Sequence, residues 1–259
     1  MSSILLKIEN KVAHITLNRP EVFNSFNREM ALSLQSILDD CVSNLEVRAI
    51  VLTGNGKAFC AGQDLKEVTN PELNPGFKKI LEEHYNPIIT RIRSIKKPII
   101  GAVNGVAAGA GANIALACDI VVAHEKVSFI QAFSLIGLVP DSAGTFFLPR
   151  LIGFQKAQAL AMLGDKISAE EAEKMGMIYK SVSLEEFEET INQLANKLAN
   201  MPTKALGLIK ELFNKSMTNT LEDQLALESK LQIEAASSND YAEGVAAFIE
   251  KRKPNFKGN

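Results

Sequence analysis

Residues 104–119 read NGVAAGAGANIALACD, and this stretch does most to determine the fold. Glycine and alanine dominate its first half, where they let the backbone turn sharply and approach a neighbouring segment closely. The apolar run PIIGAVNG at 98–105 leads into it, and a second apolar run, DIVVA at 119–123, follows it. The pattern predicts strand, helix and strand in succession, which is typical of an α/β protein with largely parallel pairing.

A second segment, KAFCAGQDL at 57–65, has the same design and follows the buried-strand pattern VRAIVLTG at 47–54. Each segment leaves a predicted strand, turns through small residues and enters a predicted helix. Such a turn can present an unpaired backbone N–H beside the positive end of a helix, and two of these donors can converge on one oxygen anion. Plain strand-to-helix packing explains the same composition. A nucleotide phosphate loop does not, because neither GxxxxGK[ST] nor GxGxxG occurs here.

Patterns elsewhere fill in the rest of the fold. LLKIEN and KVAHITLN meet at Glu9, Asn10 and Lys11, which predicts a hairpin. After about residue 150 the strand signals fade, and the remaining segments look helical. Three of those helices carry N-cap signals, each with an acidic residue three positions later, at Ser168, Ser183 and Thr220. An earlier helix is predicted from an apolar stripe that consists of Met30, Leu34, Ile37, Leu38, Cys41, Val42 and Leu45.

Composition restricts the class of protein. The 259 residues are 46% hydrophobic and 22% charged, which is typical of a folded globular chain. With 28 Lys plus Arg against 30 Asp plus Glu, the net charge of −2 gives no field that would recruit nucleic acid. No membrane partner is expected, because polar residues interrupt the most apolar stretch, at 98–123.

The cysteines and histidines form no metal-binding pattern. Three cysteines, Cys41, Cys60 and Cys118, lie far apart and form no CxxC pair, and the three histidines are equally scattered. We therefore expect reduced, buried thiols in a cytoplasmic protein that has no metal site.

A third segment, SFIQAFSLIGLVPDSAGT at 128–145, contains one carboxylate in a turn of small residues, Asp141. Pro-Asp-Ser-x-Gly suits the start of a helix, so Asp141 could be an N-cap. The same residue could instead be the acid–base group of an active site. The residues alone leave both interpretations open.

Four signatures, in this order, are TLNRPEVFNSFN, FCAGQDL, AVNGVAAGAGA and EGVAAFIEKRKPNF. Together they resemble the crotonase superfamily of enoyl-CoA hydratases and isomerases over essentially the whole chain. The resemblance implies a crotonase-like spiral core, a ββα superhelix, at 1–200, and a C-terminal helical trimerisation region at 201–259. It also implies an acyl-CoA substrate that carries its own coenzyme A, no further cofactor or metal, and a homotrimer or dimer of trimers.

The resemblance assigns two anion-binding backbone amides to Gln63 and Ala110. It places Asp141 on the turn where several isomerases of the superfamily carry a single acidic catalyst. Lys66 and Arg19 fall near positions that contact coenzyme A phosphates in the family. The residues expected to bind substrate are Asp64, Leu65, Lys66, Gly109 and Phe133.

Hydratases of the superfamily use two glutamates, and the matching positions here hold Asn113 and Phe133. Neither side chain can exchange protons near neutral pH, so water addition is disfavoured. The related aryl-CoA dehalogenases need a histidine and a tryptophan where this chain has Asn86 and Phe133. HYNP at 84–87, QAFSLIGLVPD and LPR at 148–150 instead resemble isomerases that convert the ring 1,2-epoxide of phenylacetyl-CoA into an oxepin thioester.

Three alternatives remain: a Δ3,Δ2-enoyl-CoA isomerase, an enoyl-CoA hydratase and a non-catalytic binding protein with the same fold. We further expect Asp64 to cap a helix, Asp119 to close one and His84 to lie on a solvated helix face. An apolar environment should raise the pKa of Asp141. The residues expected to form that environment are Phe133, Leu138, Val139 and Phe146.

Overall fold

The computed structural model describes residues 2–259. In this part of the chain there are ten strands and twelve α-helices. The strands are β1 (Ile4–Glu9), β2 (Val12–Leu17), β3 (Ala49–Gly54), β4 (Ala58–Cys60), β5 (Ile99–Val103), β6 (Val106–Ala108), β7 (Ile120–His124), β8 (Ser128–Ile130), β9 (Lys166–Ser168) and β10 (Lys180–Val182). The helices are α1 (Arg28–Ser43), α2 (Leu65–Thr69), α3 (Phe77–Lys79), α4 (Asn86–Ser94), α5 (Ala110–Leu116), α6 (Gly144–Ile152), α7 (Phe154–Leu163), α8 (Ala169–Lys174), α9 (Leu184–Ala199), α10 (Thr203–Ser216), α11 (Leu221–Ala236) and α12 (Asn239–Glu250).

The larger sheet has the strand order β1-β2-β3-β5-β7-β10 and confirms the predicted parallel pairing. Only its first pair, β1 with β2, is antiparallel among the described strands. That pair is the predicted hairpin, and its turn has positive φ at both Asn10 (49°) and Lys11 (65°). Two successive residues of this kind match the right-handed twist of the flanking strands.

The smaller sheet, with the order β4-β6-β8-β9, positions the functional segments. Strands β4, β6 and β8 are parallel neighbours, and each is only three residues long. The carboxyl ends of parallel neighbours meet at one edge of a sheet. The segments that follow Cys60, Ala108 and Ile130 are therefore brought together, and these are the three segments that the sequence singles out.

Helix α5 lies inside the core, with all seven of its residues buried. Gly111 makes this possible, because a Cβ at that position would lie 2.3 Å from the Cys60 carbonyl oxygen. The contact fixes the helix directly against β4. Any larger residue at 111 would push the two segments apart.

Several predictions about the helices are confirmed, and others are wrong. Ser168, Ser183 and Thr220 each accept a hydrogen bond from the amide three residues later, as predicted. The stripe on α1 is buried at four of its seven predicted positions, but Val42 is 51% exposed and Leu45 lies beyond the helix, 89% exposed. Strands β9 and β10 lie in the region that was interpreted as helical; at three residues each they are too short to give a periodic signal.

Helices α10, α11 and α12 lie within the predicted C-terminal region at 201–259. Lys210 of α10 is buried and donates to Asp119, 2.8 Å away, so this helix is attached to the core. The role of 201–259 in trimer assembly stays a prediction. None of the helices described is both long and apolar enough to cross a membrane.

Candidate active site

A cavity of about 760 Å³ lies at the edge where β4, β6 and β8 end. All eight residues predicted to form the site line this one cavity: Gln63, Asp64, Leu65, Lys66, Gly109, Ala110, Phe133 and Asp141. Its remaining lining is mainly apolar, from residues such as Val68, Phe77, Ile80, Leu135 and Ile136. The cavity can therefore take a ligand that has an apolar body and one polar centre.

Gln63 lines the cavity, and a short parallel pairing with Phe26 sets the direction of its backbone amide. The Phe26 amide donates to the Gly62 carbonyl (2.7 Å), and the Asp64 amide donates to the Phe26 carbonyl (2.8 Å). In extended backbone, successive groups point to opposite sides, so the Gln63 N–H faces away from Phe26. Within residues 2–259 this N–H has no protein acceptor.

Ala110 supplies the second free amide as the first residue of α5. The preceding Gly109 has φ 52° and ψ −127°, a conformation open only to glycine, and its own N–H donates to the Ile130 carbonyl at 2.9 Å. The Ala110 N–H is one of the first-turn donors that no helix can satisfy internally. No acceptor for it lies in the described part of the chain.

The two amides belong to adjacent segments. A Cβ built on Gly62, which has φ 96°, would lie only 3.6 Å from the Ala110 nitrogen. Because Gly62 has no side chain, the Ala110 amide stays open on that side. The geometry gives two uncommitted donors on adjacent segments, one just before the N-cap of α2 and one at the start of α5.

Asp141 lines the same cavity and lies in a strained turn. Ser142 (φ 50°) and Ala143 (φ 58°) are both left-handed, although neither is glycine. Each such residue costs about 1–2 kcal/mol, and strain of this kind is concentrated at functional sites. Helix α6 begins at Gly144 with no side-chain cap, so the N-cap interpretation of Asp141 is wrong. The Asp141 carboxyl accepts from the Ser142 hydroxyl instead, at 2.9 Å.

Asn113 holds this turn in place. Its Nδ2 donates to the Asp141 carbonyl oxygen (2.8 Å), and the Gly144 amide donates to the same oxygen (2.8 Å). Gln131 Nε2 in turn donates to Asn113 Oδ1 (2.8 Å). Asn113 is only 1% exposed, and a Cβ on Gly144 would lie 2.2 Å from its Nδ2. The position that holds a hydratase glutamate by resemblance therefore holds a tightly packed structural amide.

Burial raises the pKa of Asp141 from its usual 3.8 to about 6, and the bond from the Ser142 hydroxyl opposes part of that shift. The direction agrees with the prediction, but the predicted environment was only partly right. Phe133 and Leu138 line the cavity, whereas Val139 is 80% exposed and Phe146 lies under the Arg150 guanidinium, with 3.8 Å from ring centre to carbon. A loop residue next in sequence to an active group need not face it.

The charged residues around the rim separate into paired and unpaired groups. Asp64 caps α2 by accepting from the Lys66 amide, as predicted, and it also pairs with Arg19 (2.8 Å). Arg19 is thereby engaged within the protein. Lys66 is exposed, lines the cavity and forms no salt bridge with the residues described. Asp119 follows α5, as predicted, and pairs with Arg93 and Lys210.

The helical region before β5 differs from the sequence-based prediction at two residues. His84 is 1% exposed, and a nitrogen of its ring lies 3.1 Å from the Arg28 guanidinium, so the prediction of a solvated face is wrong. Burial also lowers the His84 pKa. The sequence interpretation missed Tyr85, which lines the cavity and donates its hydroxyl to Gln63 Oε1 at 2.9 Å. The HYNP motif contains this tyrosine but does not reveal which way it faces.

Within residues 2–259, no group of three or more His, Cys, Asp or Glu could hold a metal ion.

The fold and the cavity define a member of the enoyl-CoA hydratase/isomerase family, and the sequence profile of that family matches residues 7–259. The chain belongs to this family and is an enzyme of it. It is 47% identical over 262 residues to the 1,2-epoxyphenylacetyl-CoA isomerase of Escherichia coli (strain K12), a match that covers 100% of this chain and 99% of the relative. It is 45% identical over 256 residues to the "Probable enoyl-CoA hydratase" of Rhodobacter capsulatus, with 99% and 98% covered.

Solved structures agree on the fold. The crystal structure of an enoyl-CoA hydratase from Bacillus anthracis superimposes with a TM-score of 0.92 at 33% identity, and the match covers 99% of this chain and 100% of that one. Relatives named for hydration and for isomerisation therefore share the scaffold. The residues in the cavity must decide between the two reactions.

Proposed function

We propose that the chain is an acyl-CoA isomerase that converts ring 1,2-epoxyphenylacetyl-CoA into the oxepin thioester. One observation carries the proposal. Two carboxyls line the cavity, but Asp64 is paired with Arg19 and caps α2, so Asp141 is the one left to act beside the two free backbone amides, while Asn113 and Phe133 occupy the positions of the hydratase glutamates. The 47% identity to a 1,2-epoxyphenylacetyl-CoA isomerase supports the choice of substrate.

The two amides would stabilise the charge that develops during the reaction. Removal of a proton from the carbon next to a thioester carbonyl gives an enolate, whose negative charge collects on the former carbonyl oxygen. The Gln63 and Ala110 N–H groups are the free donors that would bind this oxygen. One preorganised donor of this kind stabilises the transition state by about 3–4 kcal/mol.

Asp141 would move the proton. With a pKa of about 6, its carboxyl is largely ionised near neutral pH, yet it gains and loses a proton readily. It would take the proton from the α-carbon and return it to a ring carbon. The bond between the two epoxide carbons opens, and the oxygen becomes a member of the enlarged ring. No atom is gained or lost, so one carboxyl is sufficient.

The coenzyme A portion and the assembly are also part of the proposal. The exposed Lys66 at the cavity rim is the cation that would reach the coenzyme A phosphates. The coenzyme A arrives with the substrate, so no separate cofactor is needed. We also propose that 201–259 assembles the chain into a homotrimer or a dimer of trimers. Three separate buried thiols, Cys41, Cys60 and Cys118, favour a reducing, cytoplasmic location.

A Δ3,Δ2-enoyl-CoA isomerase is the second candidate, because the same donors and the same carboxyl could move a double bond. Hydration ranks lower, since Asn113 has both amide groups engaged within the protein. A non-catalytic binding protein ranks last, because both amides are free and both residues line the cavity.

The test is a comparison of three substrates with one preparation of enzyme. We expect the epoxide thioester to yield the oxepin thioester, separated by liquid chromatography and identified by its absorbance. Conversion of a 3-enoyl-CoA alone would favour the second candidate. Addition of water to a 2-enoyl-CoA at a comparable rate, seen as a mass increase, would make the enzyme a hydratase. No turnover of any of the three would overturn the proposal.

A further inference from the structure

Tyr85 is a buried polar group that the proposed mechanism does not use. It is 1% exposed, and its ring packs edge-on against Phe26 with 6.0 Å between ring centres. Its hydroxyl donates to Gln63 Oε1 at 2.9 Å, and the residue lines the active-site cavity. A buried hydroxyl generally requires a partner, and Tyr85 finds it on the residue that carries one of the two free amides.

The backbone around Tyr85 is unusual. Residues Ile80–Tyr85 form a π-helical segment between α3 and α4, and the Asn86 amide donates to the Leu81 carbonyl five residues earlier. This wider turn adds about one residue to the helix and rotates the side chains that follow it. Short π-helical segments are rare and occur often at functional sites. Here the segment ends at the tyrosine that faces the cavity.

The Gln63 side chain is held at both ends. Its Oε1 accepts from the Tyr85 hydroxyl, and its Nε2 donates to Glu67 Oε2 at 2.8 Å. The other Glu67 oxygen accepts from the Arg28 amide at 2.7 Å. Gln63 is thereby attached to the π-helical segment, α2 and the start of α1. The main-chain pairing with Phe26 holds the Gln63 backbone.

We propose that Tyr85 is a positioning residue, which through the Gln63 side chain fixes the direction of the Gln63 backbone N–H toward the thioester oxygen. The inference rests on the proposed function, because it requires the Gln63 amide to act as an oxyanion donor. Tyr85 itself does not touch the reacting atoms. Its effect is to keep one donor aligned, which a preorganised site requires.

The chemistry of the hydroxyl suits this role. Burial, together with nearby acidic groups such as Asp141, raises the Tyr85 pKa well above 10. The phenol therefore stays neutral and keeps its proton across the working pH range, so it always donates. Since Oε1 of Gln63 can only accept, the amide orientation is determined and Nε2 must face Glu67.

The test is Tyr85→Phe, which keeps the ring and removes only the hydroxyl. We expect kcat to fall about tenfold with little change in KM, the size of one lost hydrogen bond. The carbonyl stretching frequency of a bound, isotopically labelled acyl-CoA should shift less from its free value than in the wild type. A merely structural role would lower the melting temperature without changing that frequency shift. Tyr179→Phe, at an exposed tyrosine, is the matched control.

A double-mutant cycle with Gln63→Met tests whether Tyr85 acts on catalysis through the Gln63 side chain. Gln63→Met alone should reproduce the loss, and Tyr85→Phe added to it should cost almost nothing more. An independent tenfold loss in that background, or an unchanged frequency shift in Tyr85→Phe, would overturn the inference. If the wild type itself gives no frequency shift on binding, the proposed oxyanion donors fail together with it.

Discussion

The cavity has a donor wall, formed by Gly62, Gln63, Gly109 and Ala110, and a carboxyl wall, formed by Asp141 on the turn at 141–144. The donor wall uses main-chain groups and rests on close backbone packing, in which Gly62 and Gly109 provide conformations that other residues reach only with strain. The carboxyl wall uses one side chain, held on a turn that is itself strained at Ser142 and Ala143.

Because one wall uses main-chain groups and the other a side chain, the two walls should tolerate different substitutions. A backbone N–H remains when its side chain is replaced, and it is weakened only where its direction changes, as we expect for Gln63→Met, or lost when the N–H itself is removed. A carboxyl is lost by a single isosteric replacement that leaves the backbone unchanged. The four predictions below test this contrast, beginning with the largest effect.

Asp141→Asn should nearly abolish catalysis, because the carboxyl wall has one proton-transfer group. General acid–base catalysis contributes about 10²–10⁴-fold, and we expect a loss in that range. The measurement is exchange of the α-protons of a bound acyl-CoA in deuterated water, followed by mass spectrometry. Acyl-CoA binding and oligomer size should be unchanged. The control is Asp165→Asn, at an exposed aspartate. Exchange at the wild-type rate would remove Asp141 from the mechanism.

Ala110→Pro should break the donor wall without breaking the helix. Proline is tolerated at the first position of a helix, where the missing N–H has no helical partner. We expect kcat to fall about 10²–10³-fold from the loss of one oxyanion donor. Ala110→Ser, which keeps the N–H, is the matched control and should remain close to wild type. If both variants lose the same activity, the side chain at 110 and not its amide is responsible.

The sequence predicted more of the residues in the donor wall than of the contacts that hold the carboxyl wall. The local pattern of FCAGQDL and GVAAGAGA indicated two strand-to-helix turns with a free amide or plain packing, and the family resemblance assigned the amides to Gln63 and Ala110. Contacts between distant segments could not be placed, because no local pattern encodes them. Tyr85 reaches Gln63 across 22 positions, and Asn113 reaches Asp141 across 28. The exposure of Val139 likewise could not be predicted, because apolar character alone does not say which way a loop residue faces.

The pH dependence of the free energy of unfolding should show how much the ionised Asp141 carboxyl destabilises the fold. The folded-state pKa of Asp141, about 6, lies above its usual 3.8, so the ionised carboxyl destabilises the fold. The cost is absent below about pH 4 and complete above about pH 6, and at 1.36 kcal/mol per unit it reaches at most about 3 kcal/mol. Asp141→Asn should therefore be more stable than wild type at pH 8 and equal to it at pH 4. Urea unfolding at both values measures this, and a gain that is independent of pH would contradict the assignment.

Asn113→Ala should loosen the carboxyl wall while the donor wall stays intact. The change removes one of the two bonds to the Asp141 carbonyl and leaves Gln131 Nε2 without its acceptor. A buried group left unpaired costs about 1–3 kcal/mol of stability, and we expect about a tenfold fall in kcat because the strained turn is held less firmly. Binding of a thioester and the shift in its carbonyl frequency should persist, since they depend on Gln63 and Ala110. Asn192→Ala, on an exposed face of α9, is the control for a generic asparagine loss. A fall in the frequency shift equal to the fall in kcat would mean that the two walls are not independent, and the contrast between them would have to be abandoned.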